Sequence, residues 1–171
     1  MDLSSYRDFP IFRPLDDEQL ASFGAACEEV VLSAGELFIE KGSRGDCLYF
    51  VAEGRMKVFL EADDGDEQEL AVLGAPAVVG EMEFLTGEPR AANVRSLATS
   101  RALRLGFGRL MERLEAGHAP TLQVFFQIAK VVARRLAAMD EKFAELEQQP
   151  AGARFHELRD FQNKLMNEWT F

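Results

Sequence analysis

The chain has 171 residues, 47% of them hydrophobic, a net charge of −10 and only two cysteines, Cys27 and Cys47. That length suits one domain with an appendage and leaves enough apolar surface for a core. The charge argues against non-specific nucleic-acid binding, which depends on cationic contacts to phosphates; no long apolar run supports a membrane span, no basic-then-apolar start supports a secretory signal, and the cysteines read as reduced thiols of a cytoplasmic protein.

Residues 1–26 predict short helices. Phe9, Ile11, Phe12, Leu15, Leu20 and Phe23 supply their apolar contacts, and Asp16 or Asp17 is placed to cap a helix carrying Glu18 to Ala25. From Glu29 to Leu105 the pattern changes to short strands. Val30–Leu32, Leu37–Glu40, Leu48–Ala52 and Arg55–Glu61 are divided by Gly35, Gly42, Gly45 and Gly54. Met56, Val58 and Leu60 alternate with Lys57, Phe59 and Glu61, the period of a strand with one buried face. Residues 62–66 are a hairpin tip, and Glu67–Leu73 returns from it. Ala92–Leu97 and Ala102–Leu105 bring the total to about eight strands, as in a jelly-roll β-barrel.

Between these strands lies Val79-Gly-Glu-Met-Glu-Phe-Leu-Thr-Gly-Glu-Pro-Arg-Ala-Ala-Asn-Val94. Gly80-Glu81 opens a single helical turn, Thr86-Gly87 closes it, and Pro89 fixes the backbone before Arg90. The parts suit a small anionic sugar phosphate. The amides of a first helical turn lack intrahelical partners. An arginine can grip a phosphate with two parallel donors. A carboxylate such as Glu81 is acceptor-only and suits a ribose hydroxyl. Ala91 and Ala92 allow a ligand close to the backbone. A surface turn in which Arg90 pairs with Glu81 is the competing interpretation.

Gly106–Glu115 predicts a short helix ended at Gly117, and Pro120 fits the first turn of the next. That helix runs to about Gln148, and at ~1.5 Å per residue it would span about 42 Å. Phe125, Ala129, Val132, Leu136, Met139, Phe143 and Leu146 recur at steps of four and three, a heptad seam. The first half of the helix, with Leu122 and Phe126, is expected to pack on the barrel, and the second half to form a parallel homodimer. After the break at Gln149–Gly152, Phe155, Leu158, Phe161, Leu165 and Trp169 form an apolar stripe. It either packs back on the dimer or docks another protein.

The order Gly-Glu, then Pro-Arg-Ala-Ala, together with the upstream Gly42-Ser-Arg-Gly45-Asp46-Cys-Leu48-Tyr49 turn and Gly54, resembles the cyclic nucleotide-binding domains of bacterial catabolite activators and of cAMP-dependent protein kinase regulatory subunits. The resemblance covers about residues 5–148. It implies a barrel domain over residues 1–120, a lid and dimerisation helix over 121–149 and an amphipathic tail over 150–171. It also implies that Glu81 takes the ribose 2′-hydroxyl, Arg90 the phosphate with help from the amides of Met82 and Glu83 beside Gly80, and that Ala91, Ala92, Val58, Leu70 and Leu73 line the pocket. Arg135 falls near the ribose, and Met139 and Asp140 near the purine amino group. Alanine at position 91 leans towards cAMP, since many cGMP-preferring members carry threonine there.

Two departures stand out. Glu83 replaces a usual alanine or serine and is expected to point away from the phosphate, and no helix-turn-helix follows residue 150. The chain therefore reads as a stand-alone cAMP sensor signalling to a partner protein, without nucleic-acid binding of its own. A ligand-free interaction module of the same fold is the alternative. A cupin-type metalloenzyme ranks last, because His118 and His156 both fall outside the barrel and no nucleophile lies next to a histidine motif.

Overall fold

The computed structural model describes residues 3–62 and 65–147, and the side chains at 135 and 138–147 lie outside that description. Eight strands form two four-stranded antiparallel sheets. They are β1 (Glu28–Leu32), β2 (Leu37–Ile39), β3 (Cys47–Glu53), β4 (Arg55–Glu61), β5 (Glu67–Gly74), β6 (Ala77–Val79), β7 (Asn93–Ser96) and β8 (Ser100–Gly106). One sheet has the order β1-β8-β3-β6 and the other β2-β7-β4-β5. This is the jelly-roll arrangement that the short strands and glycine turns suggest and the family resemblance implies. The short β6, buried at all its positions, lacks polar alternation and was not separable from the loop around it.

The helices flank the barrel: α1 (Asp17–Gly24), α2 (Glu81–Thr86), α3 (Phe107–Glu115) and α4 (Ala119–Glu147). Asp16 caps α1. Its carboxylate accepts from the Gln19 amide at 2.8 Å, while the Gln19 side chain accepts from the Asp16 amide at 3.0 Å, a reciprocal capping box.

Two apolar clusters share the first sheet. Inside the barrel lie Ile39, Val51, Met56, Val58, Ala71, Leu73, Ala77, Val79, Val94 and Ala102. On the sheet's other face Leu48, Phe50, Val78, Leu103 and Leu105 meet Tyr6, Phe9, Ile11, Phe12, Leu15, Leu20 and Phe23 of the N-terminal segment, together with Leu110, Val124 and Ile128. Strands covered on both faces read as continuous apolar runs, which is the pattern of β3, whereas Arg101 and Arg104 interrupt β8.

The alternation in β4 needs one amendment. Phe59 lies opposite the barrel-facing set yet is only 2% exposed. Arg95 sits 4.7 Å from its ring centre and Lys57 5.3 Å, and both cations pair with Glu67 at 2.6 and 2.8 Å. A cationic lid thus buries an aromatic ring on the outer face. The expectation for the first half of α4 is also corrected. The barrel-facing residues are Thr121, Val124 and Ile128, whereas Leu122 and Phe126 are 42% and 58% exposed. At 3.6 residues per turn, a stripe through 121, 124 and 128 turns positions 122 and 126 outward.

Candidate functional site

The candidate site is built on three segments that meet at one end of the barrel. The first is the turn between β2 and β3. The second is α2, entered through Gly80 at φ 89° and left through Gly87 at φ 72°, both in the left-handed region where glycine is favoured. The third is the strap Pro89–Ala92. Its backbone is tied to the turn, since the Arg90 amide donates to the Ser43 carbonyl at 3.0 Å and the Gly42 amide donates to the Arg90 carbonyl at 2.8 Å.

These ties carry the Arg90 side chain inward, where it is 6% exposed. Nη1 donates to the Gly80 carbonyl at 2.9 Å, Nη2 to the Cys47 carbonyl at 2.6 Å, and Nε pairs with Glu83 Oε2 at 2.8 Å. The Phe107 ring covers the guanidinium at 5.7 Å. A Cβ at Gly45 or Gly80 would collide with this guanidinium, so both positions need the smallest residue.

Glu83 does not point to solvent, contrary to the sequence expectation. Its side chain is 8% exposed; Oε2 faces Arg90 and Oε1 accepts from the Gly45 amide at 2.7 Å. The expectation treated position 83 as free to choose solvent. Glu81 and Glu83 lie on different sides of α2, yet both are buried because the short helix is enclosed by its neighbours, and Arg90 supplies the counter-charge that makes burial of Glu83 tolerable. A second anion held at ~4 Å from that carboxylate would meet repulsion of about 4 kcal/mol at an effective dielectric of 20.

A cavity of about 70 Å³ opens here, lined by Ile39, Val58, Val79, Gly80, Glu81, Met82, Glu83, Arg90, Ala91, Ala92 and Val94. Among the expected site residues, Val58 and all seven named from Gly80 to Ala92 therefore come together. Leu70 and Leu73 do not border it. Leu73 is enclosed in the barrel core and Leu70 packs half-buried against that core. Ile39, Val79 and Val94 take the apolar role instead; their inward register was legible only once the strand pairing was known. Glu81 is 2% exposed and also faces the apolar space beneath α4, beside Phe84, Leu85 and Phe125. The roles expected of Arg135, Met139 and Asp140 lie outside the described side chains, as does the stripe at 155–169.

The site connects to α4 through rings. Phe84 of α2 lies 5.2 Å from Phe107 of α3 and 5.9 Å, edge-on, from Phe125 of α4. Nearby, the fold also makes a serine–histidine pair that the sequence did not announce. His118 Nε2 lies 2.9 Å from Ser22 Oγ, and Nδ1 lies 2.8 Å from Thr121 Oγ1 and 3.3 Å from the Thr121 amide. The Thr121 amide and the Arg113 guanidinium can only donate, and they lie 3.3 Å from Nδ1 and 3.2 Å from Nε2, contacts that favour the neutral imidazole over the imidazolium. Burial, and secondly the charge of Arg113, hold the imidazole pKa below its ordinary value. A neighbouring cation disfavours the imidazolium that a nucleophile's base must become, so this group is a clamp between α1 and the start of α4. Burial likewise pushes the Cys27 thiol up to about 12, away from thiolate chemistry.

The structure thus sets an eight-stranded antiparallel β-fold with a buried arginine beside a small cavity. Residues 29–116 match the model of the cyclic nucleotide-binding domain, and the chain belongs to that family. It is similar to the "CRP-like cAMP-activated global transcriptional regulator" of Mycobacterium tuberculosis, at 25% identity over 136 residues, 80% of this chain and 59% of that protein. Among solved structures, it is similar to the N-terminal domain of a transcriptional regulator from Streptomyces coelicolor A3(2), at 33% identity and TM-score 0.65, covering 80% of this chain and 95% of that one. The catabolite activator protein of Thermus thermophilus superposes with TM-score 0.70 at 25% identity, covering 81% and 63%. The chain thus spans about 59% of the length of the curated regulator it matches. Among the described residues there is no DNA-binding domain, no helix long and apolar enough to cross a membrane, and no group of His, Cys, Asp and Glu placed to hold a metal.

Proposed function

We propose that this chain is a cytoplasmic cyclic-nucleotide sensor that prefers cAMP to cGMP and passes its state to a partner protein through α4, as a homodimer. The supporting observation is the convergence of Gly80, Glu81, Arg90, Ala91 and Ala92 on one cavity in a barrel of this family. Arg90 is the group for the cyclic phosphate, and Glu81 for the ribose 2′-hydroxyl. Ala91, exposed at the mouth, offers no hydroxyl to a guanine amino group. The outward apolar positions Leu122, Phe126 and Leu136 supply a dimer seam, and the Phe84–Phe107–Phe125 contacts link α2 to α4. A cavity of about 70 Å³ is smaller than the ~300 Å³ at which ligand pockets begin, so binding requires α2 or the strap to move. That movement would be transmitted along the rings.

Calorimetric titration with cAMP, cGMP and linear AMP tests this. Binding in that descending order is expected, because the phosphate of linear AMP is not tethered to the ribose 3′-oxygen. Indifference to all three would refute it. One observation favours the alternative, a module of the same fold that works without ligand: every nitrogen of the Arg90 guanidinium already has an internal partner.

A further inference from the structure

We infer that Glu83 is a built-in occupant of the phosphate subsite, so that a ligand enters only by exchanging its phosphate for this carboxylate. The inference rests on the cyclic-nucleotide function proposed above and reconciles it with the internal pairing of Arg90.

The chemistry of the two anions matches. A cyclic phosphate diester carries one negative charge and two unesterified oxygens, and a carboxylate carries one charge and two oxygens. Glu83 already holds both receptors such an anion would need, with Oε2 on Arg90 Nε at 2.8 Å and Oε1 on the Gly45 amide at 2.7 Å. The receptors come from separate segments, the β2–β3 turn and the strap after Pro89, and Glu83 reaches them from a third. The site is therefore a preformed anion cradle with a tethered anion in it, rather than an ion pair on a surface. Its burial makes joint occupancy by two anions costly, so exchange, not addition, is the available route. The tethered carboxylate competes at high effective concentration with any free ligand. Apparent affinity is the intrinsic affinity multiplied by the fraction of molecules in which the cradle is empty. A charge-assisted hydrogen bond of ~1.5–3 kcal/mol that must be released corresponds to a penalty of roughly 10- to 150-fold. Glu83 thus sets the concentration at which the module responds, and favours ligands that bring an anion of the same span.

The test uses the full chain as wild type, Glu83→Ala and the near-isosteric Glu83→Gln, the last being the safeguard should truncation impair folding. Titration with cAMP should show Glu83→Ala binding roughly 10- to 150-fold tighter than wild type, with Glu83→Gln between them. Independently, in ligand-free melts, inorganic phosphate should raise the Tm of Glu83→Ala well above any effect on wild type at matched ionic strength, because only the variant has an empty cradle. Equal cAMP affinities, or weaker binding by both variants, would overturn the occupant while leaving the nucleotide function standing. A phosphate response in Glu83→Ala with no cAMP binding by any form would support the occupant and overturn the nucleotide. No phosphate response and no cAMP binding would overturn both.

Discussion

Arg90→Ala is the substitution by which ligand binding in such a site would ordinarily be tested, and here it should cost stability before any ligand is added. The Glu83–Arg90 pair has side chains 8% and 5% exposed. Removing the guanidinium leaves the Glu83 carboxylate with only the Gly45 amide, and leaves the Gly80 and Cys47 carbonyls without the donors that hold them at 2.9 and 2.6 Å. Breaking a buried pair by deleting one partner typically costs about 3–5 kcal/mol. At ~2–4 °C per kcal/mol for a chain of this size, the Tm should drop by about 6–20 °C. Denaturant unfolding of the ligand-free protein measures this, with circular dichroism as the probe. The double variant Glu83→Ala/Arg90→Ala should lose less than the sum of the two single losses, with a coupling of about 1–3 kcal/mol, since it strands no charge. Arg90→Lys should recover only part of the loss, because a point charge cannot serve Nε, Nη1 and Nη2 partners together. If Arg90→Ala unfolds within about 1 kcal/mol of wild type, or if the double variant is strictly additive, the buried pair is not the structural link described above.

The pKa of His118 lies below its ordinary 6.5, so the unfolded chain takes up a proton there that the folded chain resists. Its contribution to stability should be complete above about pH 6.5 and decline as the pH falls below it; melts of wild type and His118→Asn at pH 7.5 and 5.5 should show the variant with the smaller pH response. Leu136, 60% exposed on α4, is assigned to the dimer seam, and Leu136→Asp should convert a dimer to a monomer in light scattering at micromolar concentration, whereas a wild-type monomer mass would sink the dimer itself. Asp16→Ala removes one half of the capping box and should cost about 1 kcal/mol of unfolding free energy, with no change in nucleotide affinity.

How far the sequence could be read depended on whether a residue's partner was local. The cap of α1 lies within Asp16–Gln19 and the sequence narrowed it to Asp16 or Asp17, and the N-terminal apolar set has nowhere but the barrel to go, so both were largely legible. The strand runs and glycine turns were local too and suggested a barrel, whereas its topology followed only from the family resemblance. Phe59 was not legible as buried, because its cover comes from Arg95, a cross-strand neighbour of Lys57 contributed by another strand. Nor was the fine lining of the cavity. Period-two alternation places Leu73 on the inner face, but only the pairing of β4 with β7 and of β3 with β6 decides that Val94 and Val79, not Leu73, reach the rim. The serine–histidine clamp brings together residues 96 positions apart, beyond any motif.

Glu83 is the instructive failure. Taken alone, a glutamate on a six-residue surface helix belongs in water, since burying a carboxylate is costly. Two glycines from different segments point the other way. Gly45 and Gly80 clear the space that lets Arg90 turn inward, and an inward arginine needs an anion. A ligand phosphate is one source of that anion, and in the ligand-free state the source is Glu83. A small residue at position 83 would leave the cradle to be filled by solvent or ligand. Glutamate is long enough to fill it from within. The inward arginine that identifies the site therefore also identifies its internal competitor, because the charge of the empty cradle must be balanced as well as that of the bound one.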